Sequence, residues 1–447
     1  MSLIIDKQTL DDLNIFGKRD NDSVYAIFNR TFTRGGAEIL EQLFRYPLSD
    51  VQSINNRSLI IKYFKDNKIA FPFRGDLFDA TEHYLSNTDE RSRLSHGENT
   101  LGRKFNHLMG ADTEYQQLVK GMASIVEILV SLQGFVKQYG ATASATPYAR
   151  DVEEIKRQLD TPDFAPLLQE KVPVKLDYNK AVEYDRLLRY THRERIKKLL
   201  TVIYYLDVYI SVATVAEQRG FVFPEAVDSE SHTMIVEGVY HPKLKKAVAN
   251  DLTIEPGNNI VFLTGANMAG KSTFMKSLGI AVFLAHVGFP VAASRMQFSV
   301  CDGLLTTINL PDDLNNGYSH FYTEVLRVKK MAVQLESSRN LFIIFDELFR
   351  GTNVKDAYEA TVAITAAFAG RDNCMFVVST HIIEAGDELK ETCNNINYVY
   401  LPTLMDGDKP VYPHKLEKGI TSDRHGMVII NNEGILDILH KGKKATI

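Results

Sequence analysis

Apolar residues recur every three or four positions through much of the first half of the chain. One such set predicts a single face of a long helix: Leu118, Met122, Ile125, Leu129, Leu132 and Val136. Residues 38–46 also predict a helix, which Pro47 ends, and a cap at Ser49 or Asp50 would begin the next one. Residues 178–219 contain neither Gly nor Pro. We therefore expect one continuous helix there, roughly 60 Å long at about 1.5 Å per residue.

The pattern changes in the second half of the chain. Prolines and small residues make residues 140–173 loop-prone, and helical periodicity ends at residues 220–224. Shorter apolar runs follow, and three of them are apolar at every position, as is typical of strands buried in a parallel sheet: residues 260–263, 341–345 and 375–378. The sequence therefore predicts a helical domain over residues 1–220 and an α/β domain over residues 221–440.

Composition excludes several classes of protein. The chain has 447 residues, 45% hydrophobic and 24% charged, which fits a soluble protein of about two or three domains. Its longest apolar stretch is interrupted by His286 and Pro290, and charged residues break up the N-terminus, so we predict a cytoplasmic protein with no membrane span and no signal peptide. The three cysteines, Cys301, Cys374 and Cys393, match no metal-ligand spacing, which favours reduced thiols.

A net charge of -5 gives no reason to expect nucleic-acid binding from bulk electrostatics, so any such contact needs a local basic patch. One candidate lies within residues 178–219 and comprises Arg186, Arg189, Arg193, Arg195, Lys197 and Lys198. These side chains would suit phosphate contacts, but Glu183, Asp185 and Glu194 are interleaved with them. A solvated face is the more frequent reason for such a pattern, and both interpretations stay open.

The strongest chemical signal is a glycine loop between the apolar run at 260–263 and a helix-like pattern that begins at Thr273. Its residues are Gly265, Ala266, Asn267, Met268, Ala269, Gly270, Lys271 and Ser272. Strand, glycine loop and helix form the arrangement of a P-loop, in which backbone N–H groups and the helix N-terminus surround a polyphosphate. Lys271 would reach the β- and γ-phosphates, and Ser272 would be a ligand of Mg²⁺. Chance occurrence is the competing explanation, and the strand and helix on either side count against it.

Two other apolar runs end in residues suited to hydrolysis. The run at 341–345 leads into Asp346 and Glu347, and the run at 375–378 leads to His381. Because sites in α/β sheets lie at the carboxyl ends of strands, Asp346 would hold Mg²⁺ and Glu347 would orient or deprotonate the attacking water. His381 would donate a hydrogen bond toward the γ-phosphate or the water. Taken alone, the acidic pair could begin a loop, and the histidine could be an ordinary surface residue.

Together these motifs resemble the ATPase of the MutS mismatch-repair family. The resemblance includes residues 346–352 with Asp356 after them, Thr380-His381, and His241-Pro242 upstream. Residues 312–324 are similar to the family's signature segment, whose serine, Ser319 here, is implied to reach the nucleotide held by the opposite subunit. In the first half, residues 5–16, 30–48 and 54–55 resemble the beginning of the family's core helical domain.

A few positions depart from the family pattern. Phe349 stands where the family usually has Gly, and Ala269 replaces a Gly of the P-loop. Family members stack adenine between an upstream aromatic residue and a histidine near the C-terminus, and Ala247 and His414 occupy those two positions here. The resemblance therefore assigns His414 to the nucleotide site and leaves its stacking partner missing.

The resemblance implies an α+β multidomain protein, in which an all-α core-and-lever domain precedes an α/β P-loop ATPase of the ABC type. It implies hydrolysis of ATP with Mg²⁺ and an ATP-dependent homodimer. Little sequence precedes Ile5, so we expect the family's mismatch-reading and connector domains to be missing, and DNA binding to be weak and not mismatch-selective. The function would be related to mismatch repair or responsive to DNA structure. The alternative is a nucleotide-switched interaction protein that binds no DNA and acts on a recombination or ribosome-associated partner.

Overall fold

A computed structural model describes residues 2–17, 22–95, 113–310, 320–337, 339–349, 351–407, 409–421, 434–435 and 438–439. The chain divides into two compact units, which we call the helical unit (residues 28–45 and 59–218) and the sheet unit (residues 1–27, 46–58 and 219–447). The division predicted at residue 220 would assign residues 1–27 and 46–58 to the helical domain. Their contacts place them in the sheet unit instead.

The described α-helices, in chain order, are α1 Lys7–Asp12, α2 Val24–Phe28, α3 Arg34–Arg45, α4 Val51–Asp66, α5 Asp76–Ser86, α6 Thr113–Ala143, α7 Ala149–Leu159, α8 Tyr178–Asp185, α9 Arg193–Arg219, α10 Lys271–Val287, α11 His320–Glu336, α12 Val354–Ala369 and α13 Glu384–Thr392. The described strands are β1 Ile4–Ile5, β2 Glu225–Val227, β3 Met234–Val239, β4 Asn250–Ile254, β5 Ile260–Gly265, β6 Arg295–Ser299, β7 Gly303–Thr307, β8 Leu341–Phe345, β9 Met375–Ser379, β10 Ile396–Leu401, β11 Leu404–Asp406, β12 Lys409–Val411 and β13 Glu417–Lys418.

Apolar helix faces hold the helical unit together. The face predicted between Leu118 and Val136 lies in α6, and all its members are buried. Residues 149–159 fall in the stretch predicted to be loop-prone, yet they form α7. Its apolar residues Val152, Ile155 and Leu159 are buried at helical spacing. Burial of that face outweighs the prolines on either side of the helix, because tertiary packing supplies most of the stability of a short helix.

The predicted continuous helix over residues 178–219 is wrong. The chain forms α8, a π-helical turn at Arg186–Thr191, and then α9 after His192. The N–H of His192 donates to the carbonyl of Leu187 at 2.8 Å, which is the five-residue spacing of a π-type turn. The absence of Gly and Pro excludes the commonest helix breakers but carries no information about such a widened turn.

Half of the predicted basic patch serves the helical unit itself. The side chain of Arg189 is 1% exposed and pairs with the buried Asp185 at 2.8 Å. The guanidinium groups of Arg193 and Arg195 donate to main-chain carbonyls at 2.7 Å and 3.0 Å. The phosphate-contact interpretation is therefore corrected for these three arginines, whose charges hold neighbouring segments of their own unit.

The sheet unit is built on a seven-stranded sheet in the order β1-β7-β8-β9-β5-β10-β13. Its pairings are parallel except for that of β10 with β13. The three predicted strands are β5, β8 and β9, and every residue in them is buried. Burial on both faces explains why their sequences are apolar without alternation. Because these strands are parallel, their carboxyl ends lie at one edge of the sheet.

The N-terminal residues belong to the sheet unit because they bond to it. Strand β1 pairs in parallel with β7, with Ile4 opposite Gly303. Asp12, the last residue of α1, accepts a hydrogen bond from the hydroxyl of Thr306 at 2.7 Å. The two residues are 294 positions apart in sequence, so no local pattern could reveal the contact.

Two helices, α6 and α9, are long and apolar enough to cross a membrane by length and composition alone. In the structure, 61% of the most apolar window of α6 and 72% of that of α9 are buried inside the protein. Core helices that are mostly buried pass the same test, so length and composition are weak evidence here for a membrane span.

Near the end of α10, the ring of His286 is completely buried. Its Nδ1–H donates to the carbonyl of Val282 at 2.9 Å, and its Nε2 accepts from the N–H of Cys301 at 3.0 Å. Both ring nitrogens are thus used by the neutral form. Burial lowers the pKa of His286 to about 4.

We expect acid to destabilise the sheet unit through His286. The unfolded chain binds a proton as the pH falls below the ordinary value of 6.5, whereas the folded ring stays neutral until about pH 4. The contribution of the neutral His286 ring to the free energy of unfolding is therefore fully present above pH 6.5. It declines toward pH 4, by at most about 3 kcal/mol at roughly 1.4 kcal/mol per pKa unit. Urea unfolding of the parent and of His286→Gln across this range measures the effect. Gln does not titrate, so equal pH dependence in both proteins would contradict the assignment.

Candidate functional site

The glycine loop joins β5 to α10 by a tight turn. Gly265 has a φ of 144° and Gly270 a φ of 106°, a left-handed backbone that glycine adopts without strain. A side chain at either position would also be close to neighbouring atoms. A Cβ on Gly265 would lie 2.9 Å from the carbonyl oxygen of Leu401, and one on Gly270 would lie 3.0 Å from Nδ1 of His414. Backbone conformation therefore favours glycine at both positions, and contact with a backbone oxygen excludes a side chain at Gly265 as well.

Lys271 is the first residue of α10, and its side chain is only 5% exposed. The ammonium group donates to the carbonyl of Gly265 at 2.8 Å and lies 4.0 Å from a carboxylate oxygen of Glu347. Burial lowers the pKa of Lys271, and the carboxylates of Glu347 and Asp346 oppose that shift. A phosphate entering the loop would replace the carbonyl contact, because an anion is the stronger acceptor for an ammonium group.

Asp346 and Ser272, the two predicted cation ligands, line the same cavity, and their role as ligands stays a prediction. The hydroxyl of Ser272 donates to the Asp346 carboxylate, and the hydroxyl of Ser379 donates to it at 2.8 Å. Burial raises the pKa of Asp346, and these two hydrogen bonds oppose the rise. The backbone N–H of Asp346 donates to the carbonyl of Thr307 at 2.8 Å. The carboxylate is therefore held from its side chain and from its backbone.

The pair formed by Ser272 and Asp346 fits Mg²⁺. Both side chains offer oxygen atoms, the ligands that Mg²⁺ prefers, and both line the same cavity. Among the described residues there is no group of three or more His, Cys, Asp or Glu side chains that could hold a metal. A cation at this pair would therefore take its remaining ligands from phosphate and water, as Mg²⁺ commonly does.

Glu347 follows at the same edge in an uncommon backbone conformation. Its φ is 53°, which few residues with a Cβ adopt. Its N–H donates to the hydroxyl of Ser379 at 3.3 Å, and its side chain is 18% exposed. Such conformations persist only where the surrounding structure maintains them, and they are concentrated at functional sites.

The departure at Phe349 has a structural explanation. Its φ is 62°, so the Gly that the resembled family has at this position would adopt the backbone without strain. The phenyl ring is 4% exposed, and its centroid lies 6.0 Å from that of Phe321. Burial of the ring offsets the cost of the left-handed backbone.

A cavity of about 640 Å³, which we call the acidic cavity, opens beside Ser272. Its lining residues include Gln8, Asp11, Asp12, Glu324, Asp346 and Glu347. So many carboxyl groups would repel a bare polyphosphate. The ammonium of Lys271 and a cation at Asp346 would both be needed to offset that repulsion.

One predicted site residue, His381, does not line the acidic cavity, and another, Ser319, cannot be placed. His381 follows β9 and Thr380, and its side chain is exposed rather than part of the cavity lining. Ser319 lies outside the described residues. The roles of both residues stay predictions.

A second pocket, of about 230 Å³, borders the glycine loop, and we call it the loop pocket. Its lining residues include His241, Ala247, Asn250, Met268, Thr273 and His414. The ring Nδ1 of His414 lies 2.8 Å from the carbonyl of Ala269, and the carbonyl of His414 accepts from Asn250 at 3.0 Å. His414 is therefore fixed beside the loop, whereas Ala247 offers only a methyl group to a bound base.

Comparison with known proteins connects both halves of the chain to one family. Residues 8–213 match MutS domain III, and residues 261–445 match MutS domain V. The chain belongs to the MutS family. The domain V match contains Lys271, Asp346 and Glu347, whereas Gln8 and Asp12 lie within the domain III match. The acidic cavity thus combines residues from both MutS domains.

Three of the curated relatives are described as DNA mismatch repair protein MutS. The Geobacillus sp. (strain WCH70) protein is 29% identical over 280 residues, which cover 61% of this chain and 32% of that protein. The Fusobacterium nucleatum protein is 28% identical over 288 residues, covering 62% and 32%. The Brevibacillus brevis protein is 32% identical over 243 residues, covering 53% and 28%. The matched region therefore spans about a third of the length of these MutS proteins.

Two residues of this candidate site were missed by sequence reasoning. Ser379 holds the carboxylate of Asp346, and its position at the end of β9 was a usable signal, since β9 ends at the same sheet edge as β8. Asp12 lines the acidic cavity. No sequence signal marked Asp12, because three of its four hydrogen-bond donors, those of Thr306, Ile308 and Asn309, lie 294 to 297 positions away.

Proposed function

We propose that this chain is a MutS-type ATPase that binds ATP with Mg²⁺ and hydrolyses it to ADP and phosphate. The observation that carries the proposal is the meeting of four side chains at one sheet edge. The Lys271 ammonium lies 4.0 Å from the Glu347 carboxylate, and Asp346 is bonded to the Ser272 hydroxyl. Together with the N–H groups of the glycine loop, these are the parts that phosphoryl transfer to water requires.

In the proposed reaction, the loop amides and the N-terminus of α10 bind the phosphates. Lys271 exchanges its bond to the carbonyl of Gly265 for phosphate oxygens. When bound at Ser272 and Asp346, Mg²⁺ neutralises the charge that develops on the phosphoryl oxygens. Glu347 orients a water for in-line attack on the γ-phosphorus and accepts its proton, while the bond to the departing ADP oxygen breaks with its electron pair.

On this proposal the sheet unit is an ABC-type P-loop ATPase, and the helical unit is the core-and-lever element. DNA is the proposed macromolecular ligand, since the curated relatives are named DNA mismatch repair proteins. Of the predicted basic patch, Arg186, Lys197 and Lys198 have exposed side chains. Contact through so few charges, without base contacts, would be weak and independent of sequence.

We expect Mg²⁺-dependent ATP hydrolysis by the parent protein and none by Lys271→Ala, which loses the ammonium that binds the triphosphate. DNA affinity should be equal for matched and mismatched duplexes and should fall steeply as salt is raised, because binding releases counterions from phosphates. The measurement is the hydrolysis rate and DNA binding with homoduplex, mismatched, branched and single-stranded DNA at low and physiological salt.

Each arm of that experiment has an outcome against the proposal. Undiminished hydrolysis by Lys271→Ala would show that the activity arises elsewhere. A clear preference for the mismatched duplex would reveal a reading element that the described residues do not explain. Hydrolysis without any DNA binding, even at low salt, would favour the alternative of a nucleotide-switched interaction protein.

A further inference from the structure

The short helix α1 holds the end of β7 and the two residues after it through one buried carboxylate. Asp12 is 2% exposed. One of its oxygens accepts from the hydroxyl of Thr306 at 2.7 Å and from the N–H of Ile308 at 2.9 Å. The other accepts from the N–H of Asn309 at 3.0 Å and from the amide of Gln8 at 2.8 Å. With four donors around it, this carboxylate fixes the backbone of residues 306–309.

That segment in turn holds the backbone of Asp346. The carbonyl of Thr307, inside the fixed segment, accepts from the N–H of Asp346 at 2.8 Å. The Asp346 side chain is bonded to Ser272 and Ser379. A shift of Thr307 would therefore move the backbone that aims the carboxylate at Ser272.

A second tie reaches the same segment from α11. The guanidinium of Arg327, which is 7% exposed, donates to the carbonyl of Thr306 at 2.6 Å and pairs with Asp6. Burial alone would raise the pKa of Asp6, but hydrogen bonds from Arg327 and Lys330 outweigh it and leave that pKa well below its usual range. Asp6 also caps α1 by accepting from the N–H of Thr9 at 3.0 Å. Helix α1 is thus fixed at both ends around residues 306–309.

We propose that Asp12 is a positioning residue for the cation site, acting through residues 306–309 on Asp346. The proposal rests on the proposed function, because it concerns the Mg²⁺ that would accompany ATP at Ser272 and Asp346. Groups that orient metal ligands without touching the metal commonly change metal affinity by about 10- to 100-fold when they are replaced. Asp12 would act in this way although it lies in the MutS domain III match and the ligands lie in the domain V match.

The test measures how strongly Mg²⁺ tightens binding of a non-hydrolysable ATP analogue, by calorimetric titration in EDTA and at a series of Mg²⁺ concentrations. Each oxygen of Asp12 accepts from a backbone N–H, that of Ile308 or that of Asn309. In Asp12→Asn the side-chain NH₂ group, which can only donate, therefore faces a backbone N–H donor in either orientation of the amide. We expect the Mg²⁺ concentration needed for half of the tightening to rise by about tenfold. Affinity in EDTA should stay within about twofold of the parent, since the loop amides and Lys271 are unchanged.

Matched variants separate positioning from general destabilisation. Thr306→Val removes only the hydroxyl that donates to Asp12, and we expect it to raise the Mg²⁺ concentration needed for half of the tightening. Thr306→Ser keeps the hydroxyl and should need the same Mg²⁺ concentration as the parent. Asn259 is as deeply buried as Asp12 and lies just before β5, at the end of the strand away from the glycine loop. Its amide donates to the carbonyl of Cys374 at 2.9 Å. Asn259→Ala should lower the unfolding temperature without changing the Mg²⁺ requirement.

The outcomes distinguish this inference from the proposed function. If the parent shows Mg²⁺-dependent tightening but no hydrolysis, the proposed ATPase activity fails and the Asp12 test remains decisive. No tightening by Mg²⁺ in the parent would overturn the inference. The inference is also overturned if Asp12→Asn changes only the unfolding temperature, as Asn259→Ala does. If Asp12→Asn does not fold, an unchanged Mg²⁺ requirement in Thr306→Val overturns it.

Discussion

Replacing Glu347 with Gln is expected to leave ATP binding largely intact and to lower turnover by about a hundredfold or more, the range that loss of a general base produces. Gln has nearly the same shape and would still line the acidic cavity. It cannot accept the proton that the attacking water must lose. The Glu347 charge also opposes the lowering of the Lys271 pKa by burial, so affinity and chemistry must be measured separately.

Equilibrium binding of ATP and single-turnover hydrolysis make that separation for Glu347→Gln. Glu359→Gln is the matched control, because Glu359 is an exposed carboxylate on α12 with a side chain 63% exposed. It should behave like the parent in both assays. Comparable single-turnover rates for Glu347→Gln and the parent would remove Glu347 from the mechanism.

The strands that carry the site could be predicted from sequence because burial on both faces leaves a signal at every position. Strands β5, β8 and β9 are each apolar until the residue where the chemistry begins. The glycine loop was predictable for a similar reason, since φ values of 144° at Gly265 and 106° at Gly270 restrict the residue type. Constraints of this kind restrict the residue type at each position, so they can be inferred from the local sequence.

Other parts of the site depend on partners that no local pattern identifies. Asp12 is one of several acidic residues near the N-terminus, and only folding brings it to Thr306. Arg189 belongs to a basic run that suggests a solvated or phosphate-binding face, yet its charge is used by Asp185 inside the helical unit. Charge patterns report which groups are present, whereas burial decides what they contact. Predictions built on the basic run were therefore weaker than those built on strand ends.

The second large effect is expected in assembly. By resemblance, Ser319 reaches the nucleotide held by a second subunit, and such a contact is useful only when two sheet units meet around ATP. Nucleotide that binds across the dimer but not to the separated chains favours the dimer by linkage. At about one hundred times its dissociation constant, it contributes about 2.7 kcal/mol, or roughly a hundredfold in the association constant. We therefore expect a monomer or weak dimer without nucleotide, and a two-fold dimer when Glu347→Gln is saturated with Mg²⁺ and ATP.

Sedimentation velocity with and without Mg²⁺ and ATP measures this shift, and Ser319→Ala tests its cause. The serine would contact the same γ-phosphate whose charge it helps to stabilise during transfer, so Ser319→Ala should reduce dimerisation and hydrolysis together. Ser337→Ala is the matched control, because Ser337 donates to the carbonyl of Gln334 at 2.6 Å just after α11 and should change neither. An unchanged monomer at saturating ATP, with full hydrolysis by Ser319→Ala, would mean that each chain hydrolyses ATP alone. The signature segment would then need a role within its own subunit.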